Sequence, residues 1–106
     1  MEVLWRARQE RCEVFIVGNG GSAATASHMV ADLGKMTIVE GLPRLRVVSL
    51  ADNTPTLTAW ANGSGYDQIF SQQLQSLASP ADVLIAISTS GKSANVLRAA
   101  EKAREM

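Results

Sequence analysis

The sequence has 106 residues, enough for one hydrophobic core and a single domain, 1–106, and short for a complete doubly wound α/β unit. Ten basic and ten acidic side chains cancel, which argues against nucleic acid or an anionic membrane as the main partner, because both call for a clustered cationic excess. Apolar residues make up 46% but aromatic ones only 5%, so Ala, Val, Leu and Ile must fill an interior of the kind found where helices cover both faces of a parallel sheet.

In chain order, residues 2–10 are good helix formers with apolar Val3, Leu4 and Ala7 among charges, the end of a helix whose beginning is expected to be absent. Cys12 has no partner for an internal disulfide and reads as a core or edge thiol rather than a nucleophile. No charged stretch followed by an apolar run opens the chain, so a reducing cytoplasm is the expected location. Residues 14–17 form a short buried strand, 18–22 a glycine-rich turn, and the Ala-rich stretch 23–33 a helix stopping near Gly34.

A connecting segment with Gly41 and Pro43 as breakers follows over 35–44, and residues 45–50 form a second buried strand. Asp52, Asn53 and Thr54 offer capping groups for a short helix through about Trp60, ended by Asn62-Gly63-Ser64-Gly65. Residues 66–77 carry Ile69, Phe70, Leu74 and Leu77 at helical spacing, and Ser79-Pro80 closes that helix. A third strand over 82–87 runs into a hydroxyl-rich loop and a last helix still in progress at Met106. The longest apolar runs, such as 83–87, are too short to cross a bilayer, so a soluble protein is expected. Strands alternating with helices predict an α/β three-layer sandwich around an open parallel sheet, with the ligand beyond the carboxyl ends of the strands. Both polar loops, after the first and third strands, fall at that edge.

In Ser88-Thr89-Ser90-Gly91-Lys92-Ser93, four hydroxyls and a glycine sit between a strand and a helix N-terminus. Unpaired helix-end amides attract an anion, and hydroxyls donate into the same phosphate oxygens. The plainer alternative is that Ser90 or Ser93 merely caps the helix, a task that needs one residue rather than four. Gly91-Lys92-Ser93 matches the end of a Walker A loop, but the position five residues earlier is Ala86 inside the strand, so a triphosphate cannot be wrapped. Lys92 is either a positive charge beside a monophosphate or a solvated surface lysine.

Gly18-Asn19-Gly20-Gly21-Ser22-Ala23 also satisfies the loose dinucleotide pattern, with Asp52 imitating the ribose-binding acid. That reading ranks second, because it leaves the loop at 88–93 without a purpose. His28 and Asp32, four apart on one helix, project toward the same space about 6 Å apart. The spacing suits a divalent metal or an acid/base pair, and equally a histidine packed at a helix interface beside an incidental carboxylate. There is no second histidine, so a zinc site requires ligands from another chain or further sequence.

Four blocks together carry a resemblance: Val17-Gly18-Asn19-Gly20-Gly21-Ser22; the Ala-rich helix with His28 and Asp32; Asp52-Asn53-Thr54 through Leu57-Thr58-Ala59 to Ala61-Asn62; and Ile87 through Val96. In order and spacing they resemble the phosphoheptose isomerase branch of the sugar isomerase (SIS) domain family over about residues 13–105. The resemblance implies a flavodoxin-like α/β fold, assembly into homotetramers with active sites where subunits meet, and conversion of sedoheptulose 7-phosphate to D-glycero-D-manno-heptose 7-phosphate. That aldose–ketose isomerisation proceeds through an enediol, and family members often bind zinc, which polarises the substrate oxygens. Carried across, Ser88, Thr89, Ser90 and Ser93 bind phosphate while Asn19 and Ser22 touch the sugar phosphate. His28 matches a metal ligand, and Asp32 stands where family isomerases have a glutamate that serves as metal ligand and catalytic base. Gly63 replaces a sugar-facing aspartate, and Lys92 an asparagine. The family continues with a strand and a helix bearing a glutamine and a histidine of the same site, which implies that this chain alone is not a competent isomerase.

Two other function classes compete. The altered Asp32 and Gly63 also fit a non-catalytic assembly module, since a relative in the family is a scaffold that binds the bacterial replication initiator. A sugar-sensing domain of a transcription regulator ranks lower, because no helix-turn-helix precedes the domain and the net charge is zero.

Overall fold

The structure is a computed structural model that describes residues 2–106. Its elements are α1 (Glu2–Gln9), β1 (Glu13–Val17), α2 (Gly21–Lys35), β2 (Arg46–Ser49), α3 (Thr54–Ser64), a 3-10 turn (Tyr66–Gln68), α4 (Ser71–Leu77), β3 (Val83–Ala86) and α5 (Ala94–Glu105). The three strands are parallel in the order β2-β1-β3, with Glu13 opposite Arg46 on one side of β1 and Val14 opposite Val83 on the other.

The alternation of β1 builds two cores. Val14 and Ile16 face one way, packing with Ala7, Ala26 and Leu45 under α1 and α2; Phe15 and Val17 face the other, packing with Leu50, Ile69, Phe70, Leu74, Val96 and Ala99. The chain passes from β1 outward to β2 and then back across β1 to β3, and because these two steps run in opposite directions, right-handed crossovers put the connecting helices on opposite faces. The expected three-layer α/β sandwich with an open parallel sheet is what results.

In β1 the residues after Glu13 are all buried, whereas β2 alternates between exposed and half-buried residues and β3 is half-buried up to an exposed Ala86. Of the two strands expected to be buried, 14–17 and 45–50, the first is buried and the second is not. Each flanking strand has a single strand neighbour among the described residues, and β2 draws its burial from Leu45 and Leu50 at its two ends. Asp82 ties the start of β3 to β1, its carboxylate accepting from the Glu13 amide at 2.9 Å and from the Ser79 amide at 2.8 Å.

Several helix boundaries differ from the sequence expectation, among them the start of α2, which lies at Gly21 rather than after Ser22. Helix α2 continues past Gly34 to Lys35, and Gly34 lies over the Val47 side chain of β2. Helix α3 passes through Asn62 and Gly63 to Ser64, because it is Gly65, at φ 109°, that takes up the conformation that ends it; its amide donates to the carbonyls of Ala61 and Trp60. The expected single helix over 66–77 is a 3-10 turn followed by α4, which sends Ile69 and Phe70 into the core together and leaves Leu77 exposed rather than buried. Among the three candidate capping residues of α3 the cap is Asn53, whose side chain accepts from the Thr56 amide at 3.0 Å, while Asp52 accepts from the Ser27 hydroxyl of α2. Cys12 is half-buried against the α1–α2 side of the sheet, as expected. No helix among the described residues is long and apolar enough to cross a membrane.

Candidate functional site

Because β1 and β3 are adjacent and parallel, the loops that follow them leave the sheet at the same edge. The first crossover departs to one side of β1 and the second arrives on the other, so a crevice opens between these loops, where open α/β sheets place ligands. The turn at the end of β1 is tight: the carbonyl of Asn19 accepts from the Ser22 amide at 2.8 Å. Gly18 makes this turn possible, since a Cβ there would lie 2.7 Å from the Ser22 carbonyl oxygen and 2.8 Å from its carbon.

On the other side of the crevice, the loop at 88–93 is folded by its own hydroxyls. Ser88 Oγ accepts from the Gly91 amide at 3.0 Å, Ser90 Oγ accepts from the Lys92 amide at 3.1 Å, and the two hydroxyl oxygens are 3.5 Å apart. One of these hydroxyls donates to the other, which leaves one O–H of the pair available to an anion. Ser93 occupies the N-cap of α5 without a side-chain capping bond, so the first-turn amides of that helix have no side-chain acceptor from it. The reading of Ser93 as a simple cap is thereby contradicted: its φ and ψ of −66° and 121° suit a cap, yet its side chain makes no capping bond. Ser90 likewise bonds the Lys92 amide inside the loop rather than an amide of α5.

An open cleft of about 470 Å³ lies beside these elements, lined by Asn19, Tyr66, Asp67, Ser93, Ala94 and Asn95. Two of the sequence-predicted residues, Asn19 and Ser93, thus share one cavity wall. Sequence reasoning assigned no role to Asn95 or Tyr66, and both are central. The amides of Asn19 and Asn95 are paired reciprocally at 2.7 and 2.9 Å, and the Tyr66 hydroxyl donates to Asn19 Oδ1 at 2.9 Å. Asp67, next to Tyr66, forms an ion pair with Arg98 of α5 at 3.4 Å. The one sequence signal for Asn95 is a polar residue on the stripe Asn95, Val96, Ala99 that α5 buries. Nothing local announces its partner, because the contact joins residues 76 positions apart.

His28 and Asp32 stand apart from this cleft. They lie on the outer face of α2 with side chains 78% and 60% exposed, so among the described residues His28 is not packed at a helix interface. At 1.5 Å per residue, Asp32 is roughly 16 Å along the helix axis from Gly21, so it does not share the pocket of Asn19 and Ser93. His28 Nε2 and Asp32 Oδ2 are 3.5 Å apart. Two ligands about 2.05 Å from a tetrahedral zinc ion are about 3.4 Å apart, so the pair fits as two ligands of such an ion. Among the described residues no third His, Cys, Asp or Glu joins them.

By its architecture the chain is a parallel α/β sandwich whose hydroxyl-rich loop leads into a helix at the carboxyl edge of the strands, the class of open sheets in which that edge is the usual place for a ligand. Within that class the chain belongs to the SIS domain family, whose profile matches residues 1–106. It is 52% identical over 93 residues to a phosphoheptose isomerase of Rhodospirillum rubrum, covering 88% of this chain and 49% of that protein. A phosphoheptose isomerase of Helicobacter pylori is 42% identical over 106 residues, covering 100% and 55%. Among solved structures, the phosphoheptose isomerase from Neisseria gonorrhoeae superposes with a TM-score of 0.88 at 39% identity, over 98% of this chain and 53% of that one. The enzyme from Francisella tularensis gives 0.89 at 32% identity, over 98% and 54%. The chain spans about half the length of the curated relatives it matches.

Proposed function

We propose that this chain forms the phosphate-binding part of a phosphoheptose isomerase that interconverts sedoheptulose 7-phosphate and D-glycero-D-manno-heptose 7-phosphate. The observation that carries the reading is the α5 N-terminus, entered through four hydroxyls and left without a side-chain cap beside the open Asn19–Asn95 cleft. Ser88, Thr89, Ser90 and Ser93 donate to the phosphate oxygens, and the first-turn amides of α5 add their partial positive charge. Asn19 and Ser22, on the opposing turn, hold the sugar end of the ligand within the crevice.

Isomerisation moves a proton between adjacent carbons through an enediol, so it needs a base at the carbon and an acid at the oxygens. Asp32 is the base this chain offers. Its distance from the phosphate cleft fits a site shared between copies, with Asp32 of one protomer serving the sugar held by a neighbour, and hence a homotetramer of the kind the family resemblance implies. His28 and Asp32 would hold zinc together with ligands from outside the described residues; when bound, the ion polarises the substrate oxygens. A single half-buried thiol is consistent with a reducing cytoplasm as the working compartment.

The test is an isomerase assay on the whole protein with zinc and sedoheptulose 7-phosphate, which should yield the aldose phosphate. Sugar binding without aldose formation contradicts the enzymatic reading. Recovery of the replication initiator from bacterial lysate, insensitive to sugar phosphate, would then favour the assembly-module alternative.

A further inference from the structure

We infer that Asn95 is a positioning residue of the ligand site: its reciprocal amide pair with Asn19, steadied by Tyr66, fixes the spacing between the two loops that face the ligand. The inference rests on the phosphate-site reading given above and assigns its geometry to residues that need not touch the ligand.

Asn95 is the second residue of α5 and 2% exposed, and its side chain makes both of its bonds to Asn19. The two amides satisfy each other, since each carbonyl accepts from the other's N–H. Breaking the pair would leave the buried Asn95 amide without its partner, so the pair ties the loop after β1 to the first turn of α5. The position of Asn19 is transmitted onward, because its backbone carbonyl also accepts the Ser22 amide. Asn95 therefore sets Ser22 and Asn19 on one side of the crevice relative to Ser93 and the free α5 amides on the other.

A third segment joins this arrangement. Tyr66 follows the end of α3 and reaches Asn19 Oδ1 across 47 residues of sequence, while Asp67 pairs with Arg98 one turn further along α5. The 3-10 turn is thus tied at two points, to the first loop and to α5. Tyr66 is itself 60% exposed, so its ring contributes little to the core and its hydroxyl bond is the main thing it does for Asn19.

The experiment is isothermal titration of the whole protein with inorganic phosphate and with sedoheptulose 7-phosphate, beside thermal unfolding, for Asn95→Ala, Asn19→Ala, the double variant and Tyr66→Phe. Asn95→Ala should weaken sugar-phosphate binding about tenfold, and the double variant should bind no more weakly than Asn19→Ala, because Asn95 acts through Asn19. Tyr66→Phe removes one hydroxyl from an exposed residue and leaves the fold intact; it should weaken binding about threefold, and this effect should vanish when Asn19 is already Ala. A lower melting temperature with unchanged affinity in Asn95→Ala would overturn the inference, as would additive losses in the double variant. Should Asn95→Ala not fold, full affinity in Tyr66→Phe overturns it. An unmodified protein that binds neither phosphate nor sugar phosphate overturns the functional reading together with this one, whereas an unmodified protein that binds, with variants that bind equally well, overturns this one alone.

Discussion

Replacing Ser93 by Ala separates a capping serine from a ligand-facing one. Serine at an N-cap normally accepts a bond from the second or third amide of its helix, and losing it costs about 1 kcal/mol. Ser93 makes no such bond, whereas Asn53 of α3 does, accepting from the Thr56 amide at 3.0 Å. Ser93→Ala should therefore change unfolding stability by less than about 0.5 kcal/mol, and Asn53→Ala, as the internal reference, should cost about 1 kcal/mol. For a domain near this size the second figure corresponds to a melting-temperature drop of roughly 4–8 °C. In binding the order reverses. A hydroxyl donating to a charged phosphate is worth about 1.5–3 kcal/mol, so Ser93→Ala should weaken phosphate affinity by about ten- to a hundredfold, and Asn53→Ala should leave it unchanged. Urea unfolding and calorimetric titration of the same samples give both numbers. If Ser93→Ala loses as much stability as Asn53→Ala and keeps full phosphate affinity, the hydroxyl is a cap and the anion site has been misread.

Other outcomes follow from single contacts. Gly18→Ala should cost about 1–3 kcal/mol and displace the first loop, since the new methyl meets backbone atoms of Ser22 rather than a movable side chain; a crystal structure of the variant with an undisturbed loop would contradict this. Asp82→Ala should destabilise the fold by about 1–3 kcal/mol through the orphaned amides of Glu13 and Ser79, with phosphate affinity intact because Asp82 precedes β3 at the opposite sheet edge. His28→Ala should lower zinc affinity of the whole protein by roughly tenfold or more in equilibrium dialysis, and an unchanged affinity would remove His28 from the metal site.

The open parallel sheet could be anticipated because each strand is followed by polar turn residues and then by helical spacing, a pattern that admits few topologies. The loop chemistry was equally accessible: hydroxyls at 88–93 and glycines at 18–21 are local features, and the sheet delivers both to one edge. What escaped sequence reasoning was non-local. The partner of Asn95 lies 76 residues upstream, and Tyr66 reaches Asn19 only because α3 ends where Gly65 turns the chain. Leu77 fitted the helical period but lies exposed, because the 3-10 turn resets the phase of the helix that follows. The stop expected before Asn62-Gly63 moved to Gly65, as glycine breaks a helix only where the backbone departs from helical angles. His28 and Asp32 were expected to share a face and do so, while their separation from the phosphate cleft depends on where α2 runs.

The central claim is that the hydroxyl-rich turn and the free end of α5 bind a phosphate. Titrating the nitrogen-15-labelled protein with inorganic phosphate and following backbone amide resonances tests it residue by residue. The account predicts saturable shifts concentrated at residues 88–95, with smaller ones at 18–22 carried through the Asn19–Asn95 pair. Shifts confined to other surfaces, or none at millimolar phosphate, would contradict it.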